Sequence, residues 1–243
     1  MKLERVGRKV IPLKGKELND KLTPEYGAQR EKVLNRLIAY DMGHGLSDRA
    51  RDIAKEEGAL EGEYEEEFGD FGRRLSHYGE IQHLLLDPDH LGKVRGKTIV
   101  HMGAGNGVYA KYLKDRGANA LAVDIGAKAI KIAKRVGADV IRADGRSALP
   151  LADGSVDAFV SDRFMFSGED RLEGKDMKAK AGSWALLKEM GRALRSGGVV
   201  VIDNALERPD EISRKRLREA GFELVHGENR KHSWENRMVL RKL

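Results

Sequence analysis

Cysteine is absent from the 243 residues of the chain. This absence excludes disulfide bonds, thiolate metal ligands, iron–sulfur ligation and a cysteine nucleophile. Glutamine is nearly absent as well, since it occurs only at Gln29 and Gln82, whereas lysine, arginine and glutamate are abundant. Few thermolabile residues and many charged ones are typical of thermophilic proteins. The composition therefore favours a thermophilic source.

The chain also lacks any long apolar run. A membrane-spanning helix needs about 20 consecutive apolar residues, and no stretch of the sequence approaches that length. Residues 1–18 contain no apolar segment of the kind found in signal peptides. Hydrophobic residues make up 40% and charged residues 35% of the chain, which is typical of a globular protein. We therefore predict a cytoplasmic protein that makes no membrane contact.

Aromatic residues are few, at 6%, and the seven histidines are scattered without the spacing of a metal site. We therefore predict no bound metal. The formal net charge is +6, and two interpretations of this charge stay open. A basic surface attracts nucleic acids or anionic small molecules. A thermophilic protein with a solvated, charged exterior has the same composition.

The character of the sequence changes near residue 96. Residues 1–95 have helical periodicity: Thr23 and Pro24, for example, have the N-cap and first-turn positions of a helix. Apolar side chains then recur three or four residues apart. We predict that residues 1–95 form a helical N-terminal extension and that residues 96–243 form the main domain.

Strands and helices alternate after residue 96, which is typical of a mainly parallel sheet covered by helices on both faces. Strands are predicted at 98–102, 120–124, 139–142, 156–161 and 198–203. Helices are predicted near 108–116, 127–136, 183–194 and 210–220. Two further strands, at 221–228 and 233–243, have no helix between them and predict an antiparallel pair. The predicted fold class is α/β: a doubly wound, mainly parallel seven-stranded sheet with an antiparallel C-terminal hairpin.

Three glycines follow the first predicted strand at every second position, in the stretch KTIVHMGAGNGVYAKYL, residues 97–113. Ligands of such sheets bind beyond the carboxyl ends of the strands, where glycine lets a ligand approach the backbone closely. No Gly-Lys-Ser/Thr follows, which excludes a P-loop. Residues 105–110 fit a dinucleotide fingerprint with Asp124 about 20 residues further on. An NAD-dependent oxidoreductase is therefore one interpretation.

A second interpretation comes from a resemblance that extends over residues 97–243. VHMGAGNG resembles the first motif of class I S-adenosylmethionine-dependent methyltransferases, and AVDIGAKAIKIA is similar to their second strand. ADGRSALPLADGSVDAFVSD is similar to the stretch with their third and fourth strands. LLKEMGRALRSGGVVVIDN resembles the helix, glycine turn and fifth strand that follow. The resemblance implies a methyltransferase with S-adenosylmethionine as its cofactor, and we favour it over the NAD-dependent alternative.

The resemblance also implies roles for individual residues. The loop 103–107 would lie against the methionine moiety, Asp124 would accept hydrogen bonds from both ribose hydroxyls, and Asp144 would contact the adenine amino group. Ile125 and either Ala148 or Leu149 would enclose the adenine ring. His101 stands where the family usually has an acid that helps to place the methionine amino group. The expected cofactor-binding residues are His101, Gly103, Ala104, Gly105, Asn106, Gly107, Asp124, Ile125, Asp144, Gly145 and Ser161.

The methyl acceptor is the least determined part of the sequence-based interpretation. By analogy with the family, the residues after the fourth strand reach the cleft, so Asp162 is the candidate base or substrate contact and Arg163 the candidate anion anchor. Ser-Asp-Arg-Phe replaces the Asp/Asn-Pro-Pro-aromatic motif of many nucleic-acid methyltransferases. We therefore expect a small, anionic metabolite as substrate, with the helical extension over the cleft. RNA is the alternative, because the C-terminal part is basic.

Overall fold

In the computed structural model, the described residues are 49, 52, 53, 56, 91, 93–145, 147–162, 176–205, 212–228 and 236–243. Most of the predicted helical extension, including Thr23 and Pro24, lies outside these residues, as does Arg163. Within the described ranges, no helix combines the length and the hydropathy that crossing a membrane requires.

Seven strands form one mixed sheet. They are β1 Thr98–Met102, β2 Asn119–Asp124, β3 Asp139–Arg142, β4 Val156–Asp162, β5 Leu194–Ala205, β6 Phe222–Glu228 and β7 Asn236–Lys242. Their order across the sheet is β3-β2-β1-β4-β5-β7-β6. Strands β1 to β5 pair in parallel, and β7 pairs antiparallel with both β5 and β6. The predicted α/β sheet and its antiparallel C-terminal hairpin are confirmed.

Four helices in the described part of the chain connect the strands: α1 Val108–Asp115, α2 Ala127–Val136, α3 Asp176–Ala193 and α4 Arg214–Glu219. They cover opposite faces of the sheet. Side chains of α1 and α2 share one hydrophobic cluster with β-strand residues such as Ile99 and Val160. Side chains of α3 and α4 share another cluster with Val100 and Phe159. Neighbouring strand residues thus alternate between the two clusters, as the pleat of a strand requires.

The chain reverses its direction of winding between β1 and β4. From β1 it proceeds outward through β2 to β3, and it then returns to place β4 on the other side of β1. At the carboxyl ends, Met102 of β1 is in register with Val123 of β2 and with Ser161 of β4. This is the topological switch point, where open parallel sheets bind their ligands.

Described residues of the predicted N-terminal extension pack on the face that α1 and α2 cover. Ile53 is 5% exposed and Leu91 is 1% exposed, and both join the cluster that contains Val108 and Tyr109 of α1. Glu56 pairs with Arg135 of α2. At least these extension residues therefore contribute to the core of the main domain.

Three elements begin four or more residues away from their predicted first residue. Helix α3 begins at Asp176 rather than 183, so the glycine at position 182 lies inside it despite an intrinsic cost of roughly 1 kcal/mol. Helix α4 begins after Ser213, whose Oγ accepts the Arg216 N–H at 3.2 Å. Strand β5 includes the predicted glycine turn, because Leu194 already pairs with Val156 and residues 195–198 bulge out before Val199 pairs with Ala158.

Candidate functional site

The loop between β1 and α1 consists of residues in unusual backbone conformations. Gly103, Gly105 and Gly107 have φ angles of 67°, 51° and 70°. These positive values are strained for residues with a Cβ and are ordinary for glycine. The Ala104 N–H donates to the Val123 carbonyl of β2 at 3.1 Å, which binds the loop to the neighbouring strand. The alternating glycines are therefore required by the path of the backbone.

The glycines of this loop have different surroundings. A Cβ added at Gly105 would meet no atom within 4 Å, so there is open space on that side of the loop. A Cβ at Gly107 would lie 2.5 Å from Cβ of Ala133 and 3.2 Å from Cβ of Ala138. Asn106, between them, accepts the Val108 N–H on its Oδ1 at 3.1 Å, which forms an Asx-turn at the start of α1. Gly105 leaves room for a ligand, whereas Gly107 permits close helix packing.

Asp124, the last residue of β2, connects two loops at the switch point. Its Oδ2 accepts the Gly105 N–H at 2.9 Å, and its Oδ1 accepts the Gly126 N–H at 2.8 Å. A carboxylate has about four acceptor sites, so two remain for a ligand. The predicted site residues Gly105 and Asp124 are thus in direct contact.

The next residue, Ile125, is 51% exposed, although it is large and apolar. On the neighbouring strand, β3 ends just before Asp144 and Gly145. Gly145 is buried, and a Cβ there would lie 2.8 Å from Met102 Cε and 2.8 Å from Leu186 Cδ1. Glycine therefore lets the segment after β3 pass close to the end of β1.

The segment from Leu149 to Gly154 has no regular secondary structure, and one turn of α3 holds it. Arg192 donates from Nη2 to the Leu149 carbonyl at 3.0 Å and from Nη1 to the Leu151 carbonyl at 2.8 Å. Its Nη1 also donates to Asp153 Oδ1 at 2.5 Å.

Glu189 completes this contact from the same turn of α3. Its Oε2 accepts the Leu149 N–H at 3.1 Å and the Arg192 Nη2–H at 3.0 Å. These hydrogen bonds, first from Arg192 and then from the Leu149 backbone, lower the pKa of Glu189 below its ordinary value, against the opposing effects of burial and of Asp153. We call Glu189 and Arg192 the α3 clamp.

Two predicted cofactor residues are buried. His101 is 3% exposed, and its ring packs edge-to-face on Tyr109 of α1 with centroids 5.0 Å apart. Ser161 of β4 is fully buried, and no residue of the described part provides a hydrogen-bond partner for its Oγ. Both lie in the strands beneath the loop rather than on its open side, and their predicted roles remain predictions.

The candidate catalytic residues follow β4. The backbone of Asp162 ends this strand in register with Asp203 of β5, one position beyond the Ser161–Met102 pair. Arg163 lies outside the described residues. Among the residues that the structure describes, no cluster of three or more histidine, aspartate or glutamate side chains has the arrangement of a metal site.

The strand order, the glycine loop at the switch point and the acid at the end of β2 define a class I, Rossmann-like methyltransferase domain. Residues 100–202 match the family model described as a methyltransferase domain. Residues 100–202 are thus a methyltransferase domain, so the protein is a methyltransferase, and S-adenosylmethionine is its cofactor. A search of the curated proteins gave no match.

Solved structures share the fold. A TehB-like S-adenosylmethionine-dependent methyltransferase from Corynebacterium glutamicum has a TM-score of 0.51 and 22% identity, over 73% of this chain and 97% of that chain. PH0226 from Pyrococcus horikoshii has a TM-score of 0.51 and 17% identity, over 70% and 92%. A third structure is the complex of the Haloferax volcanii Trm112 methyltransferase activator with a methyltransferase. Its TM-score is 0.52 and its sequence identity 16%, over 70% of this chain and 91% of that chain. At such identities the likeness concerns the fold.

Two features of the site were not predicted from the sequence. The first is that the Asp124 carboxylate accepts backbone N–H groups from two loops. The second is the α3 clamp, whose only sequence signal is an acid and a base three positions apart on a helix. That spacing predicts a pair within the helix, but it does not predict the contact with residues 149–154.

The different surroundings of Gly105 and Gly107 predict different costs of substitution. Both Gly105→Ala and Gly107→Ala place a Cβ in a left-handed conformation, which costs about 1–2 kcal/mol. Gly107→Ala also overpacks the contact with Ala133, which adds about 1–3 kcal/mol. Urea unfolding of the two variants measures the difference. Equal destabilisation would contradict the packing role of Gly107.

The lowered pKa of Glu189 predicts a dependence of stability on pH. A carboxylate whose pKa is lower in the folded than in the unfolded state stabilises the fold above the unfolded value, and this contribution disappears as the pH falls through the folded value. We expect wild type to be more stable than Glu189→Gln near neutral pH, and the two to converge in acid. Denaturant titrations from pH 7 down to about pH 3, below the ordinary glutamate pKa of about 4.3, measure this. A constant difference across the range would contradict the role of the carboxylate.

Proposed function

We propose that the enzyme transfers the methyl group of S-adenosylmethionine to a small, anionic metabolite. The observation that carries this proposal is the end of β4. Its pairing with β1 brings the backbone of Asp162 beside the glycine loop. The sequence then continues as Arg163–Phe164 rather than with the Asp/Asn-Pro-Pro-aromatic motif. An arginine at this point suits a carboxylate or phosphate, which it binds through two parallel hydrogen bonds.

In the proposed complex, the cofactor lies across the switch point. The methionine moiety contacts the loop 103–107, and the ribose hydroxyls donate to the remaining acceptor sites of Asp124. The adenine ring lies on Ile125, and Asp144 contacts its amino group. The open side of Gly105 and the exposure of Ile125 support this arrangement, because both leave surface for a ligand.

The reaction in this proposal is a direct displacement. The acceptor atom forms a bond to the methyl carbon while the sulfur–methyl bond breaks, and S-adenosylhomocysteine leaves with the electron pair on sulfur. The main contribution of the protein is to align donor and acceptor. Where the acceptor loses a proton, Asp162 takes it as general base.

The N-terminal extension, residues 1–95, provides acceptor specificity in this proposal, and the methyltransferase domain begins near residue 96. The burial of Ile53 against α1 and the pairing of Glu56 with Arg135 support an extension that is docked on the domain.

RNA is the second candidate acceptor. It is favoured by the exposed cationic side chains of α4, which are Arg214, Lys215, Arg216 and Arg218. Cations on one surface neutralise phosphates and release counterions, so such binding would weaken steeply with salt. The charges make RNA the alternative to test beside the metabolite.

The proposed ribose contact predicts the effect of Asp124→Ala on cofactor affinity. Hydrogen bonds to a charged group contribute about 1.5–3 kcal/mol, so binding of S-adenosylhomocysteine should weaken by this amount. Isothermal titration calorimetry measures it. Asp139→Ala is the matched control, because Asp139 is an exposed aspartate of the same sheet that pairs with Lys114. Wild-type affinity in the Asp124 variant would reject the ribose role.

The acceptor proposal predicts where a transferred methyl group appears. We expect incubation with methyl-labelled S-adenosylmethionine to label a small anionic compound in a metabolite extract and to leave total RNA unlabelled. Arg163→Ala should lose this labelling and keep its affinity for S-adenosylhomocysteine, because Arg163 is assigned to the acceptor alone.

The control for this experiment is nuclease digestion of the RNA sample. Label that is recovered as modified nucleosides would contradict the metabolite proposal and identify RNA as the acceptor. If Arg163→Ala still labels the metabolite, the role of Arg163 as anion anchor is wrong, whereas the metabolite proposal stands.

A further inference from the structure

The segment between β3 and β4 includes the predicted adenine-binding residues Asp144 and Gly145, and hydrogen bonds from α3 hold part of it. Residues 147–155 contain no helix or strand. A Cβ at Gly145, just before them, would lie 2.8 Å from side-chain atoms of Met102 in β1 and Leu186 in α3, so the backbone passes close to both. The segment therefore runs between the switch point and the C-terminal half of α3.

The α3 clamp satisfies the backbone of this segment at several points. Both backbone polar groups of Leu149 are hydrogen-bonded: its N–H donates to Glu189 at 3.1 Å, and its carbonyl accepts from Arg192 at 3.0 Å. The Leu151 carbonyl accepts from the same guanidinium at 2.8 Å. The carbonyl of Arg192 accepts the Gly154 N–H at 3.1 Å. One turn of α3 thus provides this segment with the backbone hydrogen bonds that a neighbouring strand would provide in a sheet.

The side-chain geometry requires an arginine. The guanidinium contacts two carbonyls on the segment and the carboxylates of Asp153 and Glu189. The planar fork of arginine presents five donors in fixed directions, whereas a lysine has one compact ammonium group. A lysine at position 192 would keep the charge and lose part of this set of contacts.

We propose that Glu189 and Arg192 are positioning residues for the adenosine half of the cofactor. They fix the segment that follows Asp144 and Gly145. The clamp binds both the N–H and the carbonyl of Leu149, whose side chain is 3% exposed and packs in the core. The inference rests on the proposed location of adenine beside this segment.

The physical basis is pre-organisation. A segment without secondary structure loses conformational entropy when a ligand orders it, and this loss weakens binding. The clamp orders the segment before the cofactor arrives. Removing the clamp should therefore reduce cofactor affinity, although neither side chain is assigned a contact with the cofactor.

The test compares Arg192→Ala, Arg192→Lys and Glu189→Gln with wild type, by calorimetry at a temperature where all variants are folded. Arg195→Ala is the matched control, because Arg195 pairs with Asp157 of β4 at 2.8 Å rather than with residues 149–154. We expect Arg192→Ala to weaken binding of S-adenosylhomocysteine roughly three- to thirty-fold, the range of indirect effects on binding. Arg192→Lys and Glu189→Gln should weaken it less, and Arg195→Ala should leave it unchanged.

Three readouts distinguish positioning from general stability. Binding of 5′-methylthioadenosine, which has the adenosine and lacks the amino-acid part, should weaken by the same factor as binding of S-adenosylhomocysteine. The KM for S-adenosylmethionine should rise while kcat at saturation stays near wild type. Amide hydrogen exchange at Leu149 and Gly154 should become faster in Arg192→Ala before the cofactor is added.

The outcomes separate this inference from the assigned cofactor. Folded Arg192→Ala that binds both ligands as wild type does would overturn the clamp inference and leave the methyltransferase assignment intact. A loss for S-adenosylhomocysteine alone, with 5′-methylthioadenosine unaffected, would also overturn it, because the effect would then lie at the methionine side. Wild type that binds neither ligand would instead contradict the cofactor assignment.

Discussion

The hydrogen bonds accepted by Asp124 are the interaction on which the cleft depends. The carboxylate holds the loop after β1 through Gly105 and the loop after β2 through Gly126. These two loops diverge after neighbouring parallel strands have ended, so the N–H groups of Gly105 and Gly126 are outside the hydrogen bonding of the sheet. One side chain satisfies both, and it does so at the place where the chain changes its winding direction. The glycine loop owes its fixed position to this residue.

Close packing beneath the loop is the second constraint. Ala104 of the glycine loop shares a cluster of small side chains with residues of α1, β2 and α2 and with the residue just before β3, namely Ala110, Ala122, Ala133 and Ala138. Only a glycine fits at position 107 above this cluster, since a Cβ would lie 2.5 Å from Ala133. Small residues thus let α1 start directly at the sheet, and the start of α1 in turn sets how near a ligand can approach β1.

The sheet was predictable from the sequence because its signals are local. Parallel strands buried on both faces appear as continuous apolar runs, and the bounds of β1 and β3 are the predicted ones. The glycine loop was predictable because positive φ angles restrict residue choice. Helix α3 was predicted too short, since the glycine at 182 is tolerated within it.

The α3 clamp was not predictable for a different reason. Arg192 contacts Leu149 and Asp153 across about 40 positions of sequence, and no local pattern specifies such a partner. The same holds for the double use of Asp124, whose expected ribose role does not require contacts with both loops. The proposed acceptor was inferred from net charge and from the absence of a sequence motif after β4, and these signals indicate a class of compound but no individual molecule.

Parallel calorimetric titrations of the protein with S-adenosylhomocysteine and with NAD⁺ decide which nucleotide binds at the switch point. We expect S-adenosylhomocysteine to bind with one site per chain and NAD⁺ neither to bind nor to compete. Tight binding of NAD⁺ without binding of S-adenosylhomocysteine would contradict this expectation, because the glycine loop and Asp124 would then serve a dinucleotide.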